Sequence, residues 1–463
     1  MNRIGYHTGR VSYKLLAKSW FDNCLSTHKS CKIAVQDYLL PTRLIDIETR
    51  RDKPRLVPST DLPSNIPYAT LSHCWGELKI TTLQKKNLKE FQEHIPMRKL
   101  CKTFRESFDT ARQFGLCYIW IDSLCIIQDD EADWARESLL MSQVYGFSKL
   151  NIAAAGAKDG RKGLFFRRNP LLVQKFRTTV QPSSTEELPV TIEWSLSRLQ
   201  AKCVQLSPLG YRAWAFQERF LAPRTLHFGN PQLFWECKEV QACETYPDML
   251  PPLNFLEKFE SAVDISIVDD SMTLEQAWSY IVAGFGRARL TKSDDKLVAL
   301  SGIAKLIAKR YGATYLCGLW KENLVDQLLW VSRTSMGRPD SYRAPSWSWA
   351  SVDGYIAFSY FVLAGCRCSR VTSVVDVEVT PRGLSIYGQI KAGFVRLNCL
   401  PLIPYNFDMS SLGVVPRDIW SYMDAEQGLT SGNVTLLHDN CYYLRFLEGH
   451  DPGRINGLIV QAT

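Results

Sequence analysis

The sequence predicts an α/β protein whose centre is a parallel sheet, followed by a helical region and a mainly β carboxyl-terminal part. Two observations predict the sheet. From Tyr68 onward, short apolar runs alternate with longer stretches of helical periodicity, the signature of a parallel sheet with crossover helices. Three of the blocks carry polar or reactive residues directly after an apolar run: Leu71-Ser72-His73-Cys74-Trp75-Gly76, Ile121-Asp122-Ser123-Leu124-Cys125 and Arg212-Ala213-Trp214-Ala215-Phe216-Gln217-Glu218-Arg219. In open parallel sheets ligands bind beyond the carboxyl ends of the strands, so such endings read as the rim of a pocket.

The elements follow in order. A helix around Leu15 to Cys24 and an extended stretch from Pro41 to Pro58 form a leader segment, residues 1–60. Residues 61–230 hold the α/β domain: strands at Tyr68 to Ser72, Cys117 to Asp122 and Leu150 to Ala154, with helices near Arg98 to Phe114 and Ala132 to Phe147. In the first helix Leu100, Phe104, Phe108, Ala111 and Gly115 recur every three or four residues, as a face packed on a sheet does. Residues 231–335 read as a helical connection, with helices at Leu274 to Phe285, Lys296 to Tyr311 and Val325 to Val331. Residues 336–463 read as mainly β, with strands at Tyr355 to Cys366, Val371 to Val379, Leu384 to Ile390 and Cys441 to Phe446.

Composition sets the boundaries of function. With 463 residues the chain exceeds one ordinary core. Its 55 basic and 47 acidic residues are spread without a long basic run, which argues against a nucleic-acid groove. The first residues lack the apolar core of a secretory signal, and no stretch reaches the roughly 18 apolar residues of a spanning helix, so a cytoplasmic protein without a membrane span is expected. Fourteen cysteines in that setting are expected to be reduced thiols. Cys24, His28 and Cys31 have a spacing loosely like metal ligands, but no fourth ligand is evident nearby and Trp20 shares their helical spacing. A packed helix face is the reading there, and no metal is expected.

The sharpest physical signal lies in the helix after the second strand. Trp134, Glu137, Met141, Val144 and Tyr145 share one face, which places a carboxylate among apolar side chains. Burying it requires a cation or a cavity; pairing with Arg212 or Arg219 is the structural reading, a pocket carboxylate the functional one. Asp129, Asp130 and Asp133 read as helix caps. A thiolate nucleophile, Cys74 with His73 or Cys125 with either His73 or His227, is a minor alternative. A phosphate loop of the Gly-x-x-x-x-Gly-Lys type and a complete dinucleotide fingerprint are both missing.

Taken together, the blocks resemble the fungal heterokaryon incompatibility (HET) domain family. The resemblance rests on Tyr68-Ala69-Thr70-Leu71-Ser72-His73-Cys74-Trp75-Gly76, on Tyr118-Ile119-Trp120-Ile121-Asp122-Ser123-Leu124-Cys125 continuing through Trp134, Glu137, Met141 and Tyr145 to Asn151-Ile152-Ala153-Ala154-Ala155, and on Arg212 to Arg219 followed by Leu221-Ala222-Pro223-Arg224. Ala213 stands where the family often has Gly. The resemblance implies an effector of nonself recognition and programmed cell death, with self-assembly and protein partners. The family is distantly similar to TIR domains, some of which cleave NAD, and this implies a TIR-like, Rossmann-like sheet. On that footing Glu137 is the catalytic carboxylate, with NAD as substrate and no resident cofactor, and Ser72, Trp75, Gly76, Asp122, Trp134 and Arg212 bind the substrate. The competing expectation is a non-enzymatic signalling module acting through oligomerisation, with Glu137 and Arg212 as a buried ion pair.

Overall fold

The structure is a computed structural model. It describes residues 6–9, 11–32, 38–49, 52–180, 190–194, 201–251, 272–328, 330–332, 338–358, 373–383, 385–398, 441–446 and 456–461. The chain divides into two compact units, Met1–Ser261 and Ala262–Thr463.

The first unit is built on one eight-stranded sheet. Its helices are α1 (Val11–Thr27), α2 (Leu88–Glu93), α3 (Lys102–Gln113), α4 (Asp122–Cys125), α5 (Glu131–Gly146) and α6 (Ala213–Leu221). Its strands are β1 (Arg43–Asp46), β2 (Arg55–Pro58), β3 (Tyr68–Ser72), β4 (Tyr118–Trp120), β5 (Leu150–Ala153), β8 (Arg224–Phe228), β9 (Leu233–Cys237) and β10 (Gln241–Cys243), while β6 (Phe176–Val180) and β7 (Val190–Trp194) pair as a separate hairpin. The sheet order is β10-β9-β8-β5-β3-β4-β1-β2. β3 runs parallel to β4 and β5, and β5 parallel to β8; antiparallel strands complete both sides.

Counted along the chain, the four parallel strands lie in the order second, first, third, fourth. That is a doubly wound arrangement, with its switch point between β3 and β5. Right-handed crossovers then put α3 on one face and α5 with α6 on the other. β3 and β5 are buried along their whole length, as strands covered on both faces must be.

Local physics accounts for the helices. α3 buries Thr103, Phe104, Ser107, Phe108, Thr110 and Ala111 on one face. Gly115, expected on that face, is instead exposed just past its end at φ +74°, where a left-handed residue closes the last turn. α5 is capped by Asp130, whose carboxylate accepts from the Ala132 and Asp133 amides. The extended stretch placed in the leader contains β1 and β2, which belong to the sheet, and the end of the expected second strand turns into α4.

The second unit contains α7 (Leu274–Phe285), α8 (Ser301–Tyr311) and α9 (Leu324–Gln327), with antiparallel pairs β11 (Tyr315–Leu316) and β12 (Leu319–Trp320), β13 (Trp330–Ser332) and β14 (Ile356–Phe358), β15 (Ser373–Pro381) and β16 (Ile390–Asn398), and β17 (Cys441–Phe446) and β18 (Asn456–Gln461). Of the expected strand Tyr355 to Cys366, residues 356–358 are β14 and 359–366 lie outside the described residues. Of the expected strand Leu384 to Ile390, residue 384 lies outside the described residues, residues 386–388 turn, and β16 begins at Ile390. The tryptophan-rich block before it is structural: the Trp278 and Trp349 indoles both donate to the Gly318 carbonyl, at 2.7 and 2.6 Å, and Gly318, at φ +93°, lies against Trp349 where a Cβ would be 3.0 Å from the indole nitrogen.

Candidate functional site

Four of the expected substrate-binding residues meet at the carboxyl ends of β3 and β4, beside the switch point. Ser72 closes β3 and its hydroxyl donates to Asn151 Oδ1 of β5 at 3.2 Å. The chain then turns through His73, Cys74 and Trp75. The Trp75 indole donates to Asp122 Oδ2 at 2.8 Å and lies parallel to the His73 ring, 6.5 Å away at 12°. Asp122 Oδ1 accepts from the Ser123 amide at 2.7 Å and stands 3.7 Å from His73 Nδ1. Arg212, at the start of α6, donates to the His73 carbonyl. Ser72 and His73 are buried, whereas Trp75, Asp122 and Arg212 are half-buried. A polar floor thus lies under an aromatic and charged rim.

Gly76 belongs to this turn for a steric reason. It sits at φ +62°, and a Cβ there would be 2.6 Å from Asp159 Cβ and 2.8 Å from the Lys158 carbonyl. Only glycine lets the turn after β3 press against the loop after β5.

Glu218, which the sequence reading did not single out, completes the floor. It is buried on α6, with Ser72, Tyr145 and the Arg212 guanidinium all bearing on its carboxyl. Burial pushes its carboxyl up to about 7, against the opposing pull of Arg212. Burial lowers His73 to about 4, with Asp122 opposing it, and its Nε2 is buried without a hydrogen-bond partner. A buried carboxyl titrating near neutrality is the kind of group found where protons move or charge develops.

Glu137 belongs to a different set of partners. It is buried on α5, 3.4 Å from the Arg43 guanidinium and 3.8 Å from that of Arg136. Arg43 also holds Asp133 with Nη2 at 2.7 and 2.6 Å from its two oxygens and donates to the Cys125 carbonyl at 2.8 Å. Burial raises the Glu137 carboxyl, with Thr42 and Arg43 opposing. The expected partners of Glu137 were Arg212 and Arg219; instead Arg212 caps His73, and Arg219 grips Glu236 at 2.6 Å through two nitrogens. Asp133, expected as a cap, is the centre of the Arg43 cluster, because its position on the inner face of α5 lies over the start of β1. Trp134 is half-buried against the core of the first unit.

The thiol reading fails on electrostatics. Burial pushes Cys125 up to about 12 and Cys74 up to about 11, the reverse of the depressed value a nucleophilic thiolate needs.

Among the described residues one group of side chains has the composition of a metal site: Cys24, His28, Cys31 and Cys237. The fourth donor, missing from the sequence reading, comes from β9.

No helix among the described residues is long and apolar enough to cross a membrane. No curated protein and no solved structure matches the chain. Residues 68–218 match the family model described as heterokaryon incompatibility protein (HET). The match opens on the first residue of β3 and closes on Glu218, so it spans Ser72, His73, Trp75, Asp122, Tyr145 and Arg212 as well. Residues 68–218 are therefore a heterokaryon incompatibility (HET) domain.

Proposed function

We propose that this protein is a heterokaryon incompatibility effector that triggers cell death by hydrolysing NAD at the carboxyl ends of β3 and β4. The single observation that carries the reading is the convergence of Ser72, Trp75, Asp122 and Arg212 around the buried Glu218, beside the sheet's switch point. That is where an open α/β sheet takes nucleotides. In the reaction the bond between nicotinamide nitrogen and ribose carbon breaks, nicotinamide leaves with the bonding electrons, and water adds to the ribose carbon, giving ADP-ribose and a proton. The transition state carries positive charge on the ribose, which a fixed carboxylate stabilises.

Each residue then has a role. Trp75, held by Asp122, offers a flat face for a base. Arg212 binds phosphate, and Asp122 orients ribose hydroxyls. Glu218 supplies the stabilising charge, held in place by Ser72 and Tyr145. TIR-like enzymes often act as assemblies, so assembly belongs to the proposal.

The second reading is a non-enzymatic module, favoured by the ion-paired surroundings of Glu137. The two are separated by NAD consumption with purified protein at high concentration. Wild type is expected to consume NAD and Glu218→Gln to lose turnover while keeping its fold; Glu137→Gln is expected to keep turnover. Loss in Glu137→Gln alone, with its melting temperature intact, would return the catalytic carboxylate to α5. Absence of turnover in assembled wild type would leave the interaction module. Expression of wild type and Glu218→Gln in fungal cells, scored for death, connects the activity to the outcome.

A further inference from the structure

We propose that Cys24, His28, Cys31 and Cys237 bind one Zn2+ ion that fastens the amino-terminal helix to the sheet. Cys24 lies in the last turn of α1, His28 directly after it, Cys31 three residues on, and Cys237 ends β9. The four donor atoms lie within 4.8 Å of one another and all four residues are buried. His28 Nδ1 is 3.3 Å from Cys237 Sγ and 4.0 Å from Cys31 Sγ. Tetrahedral zinc, with bonds of about 2.3 Å to sulfur and about 2.0 Å to nitrogen, sets donor atoms roughly 3.5 Å apart. A donor set this tight fits a single ion, and three thiolates with one imidazole are a closed structural zinc set.

Arg224 gives an independent reason for an anion there. Its side chain is buried, and no carboxylate pairs with it among the described residues. Its Nε lies 3.1 Å from Cys24 Sγ, its Nη2 donates to the Cys31 carbonyl at 2.7 Å, and its Nη1 is buried without a partner. A buried guanidinium beside three neutral thiols would be an uncompensated charge. Zn2+ bound by three thiolates and a neutral histidine carries a net charge of minus one, which balances it. The Val240 amide points at Cys237 Sγ from 3.3 Å, an outer bond of the kind that supports ligating sulfur. The Ser30 amide donates to Glu239 at 2.6 Å, joining the two ligand-bearing segments a second time. All four ligands lie outside residues 68–218, so the site is separate from the family-matched span.

The test uses the full chain, purified without chelator and analysed for metal by mass spectrometry and zinc X-ray absorption. One zinc per chain is expected, with three sulfur neighbours and one nitrogen, and Co2+ put in its place should give the intense visible bands of a tetrahedral thiolate site. Cys237→Ser should drop from one zinc to none, while Cys243→Ser, a buried cysteine on the adjacent strand, should keep it. Should Cys237→Ser fail to fold, Cys237→His, which preserves four ligands, should restore both zinc and folding. Wild type that lacks stoichiometric zinc and melts at the same temperature with or without added Zn2+ would overturn the proposal, as would zinc that survives the loss of Cys237 in a folded variant.

Discussion

Glu218 and His73 respond to pH in opposite senses, although burial is the leading cause for both. Glu218 titrates at about 7 when folded against 4.5 in its ordinary state, so between those values the folded chain keeps a proton that the unfolded chain has released. Stability from this group falls as pH rises through that window. His73 titrates at about 4 against 6.5; the unfolded chain takes up a proton that the folded one refuses, so stability falls as pH drops from 6.5 to 4. Each shift corresponds to about 3 kcal/mol, and over the shared window the two oppose. Thermal melts should show Glu218→Gln gaining stability as pH rises from about 5 to 6.5 and His73→Gln losing it, each relative to wild type. A Glu218→Gln profile parallel to wild type would mean that the carboxyl is not perturbed. At this scale the sequence disclosed the rim but not the floor. Ser72, Trp75 and Asp122 stand where apolar runs end, a visible sign. Glu218 sits between Gln217 and Arg219 and reads as a polar helix surface until α6 is seen packed with α5.

At the scale of elements, the Arg43 cluster joins β1 to α5 and to the turn at Cys125. Arg43→Met leaves Asp133 and Glu137 buried without that cation, and a cost of about 3–5 kcal/mol is expected from denaturant melts; a loss below about 1 kcal/mol would show that Arg136 alone suffices. The sequence placed Glu137 correctly on a buried face, because helical periodicity is local. It could not supply the partner, because Arg43 is brought there by β1, a short strand inside what reads as a proline-punctuated leader. Gly76 and Gly115 offer a matched comparison. Both have positive φ, but a Cβ on Gly115 meets nothing within 4 Å whereas one on Gly76 meets Asp159 and the Lys158 carbonyl. Gly115→Ala should cost about 1 kcal/mol from backbone conformation alone, and Gly76→Ala measurably more in the same melts, since it adds a clash. Equal costs would show that the loop at Asp159 yields freely.

For the molecule as a whole, the family-matched span of the domain and its physical boundary differ. The family-matched residues 68–218 contain β3, β4 and β5 but stop before β8, and they omit β1, β2, β9 and β10. A fragment of 68–218 would expose both sides of a buried parallel sheet, with unpaired strand edges that invite aggregation. Residues 1–261 carry all eight strands and are expected to melt cooperatively when expressed alone, while 68–218 is expected to be insoluble or without a melting transition. A soluble, cooperative 68–218 would show that the flanking strands are dispensable. The parallel core was legible in the sequence because its strands are apolar runs set between amphipathic helices. The antiparallel flanks were not, since short strands of four or five residues leave little periodicity and their pairing is a long-range matter. The same distance hid Cys237 from Cys31.

The sheet draws strands from both ends of this unit, and that orders the birth of the protein on the ribosome. The matched segment emerges with β1 and β2 already made, but β8 to β10 leave the exit tunnel last. Until residue 228 is clear, β5 has an open edge, and until residue 237 is clear the helix that carries Glu218 lacks the strand that Arg219 grips through Glu236. A chain interrupted earlier would therefore carry the matched segment without its finished sheet, so that completing the sheet is the last step in assembling the site.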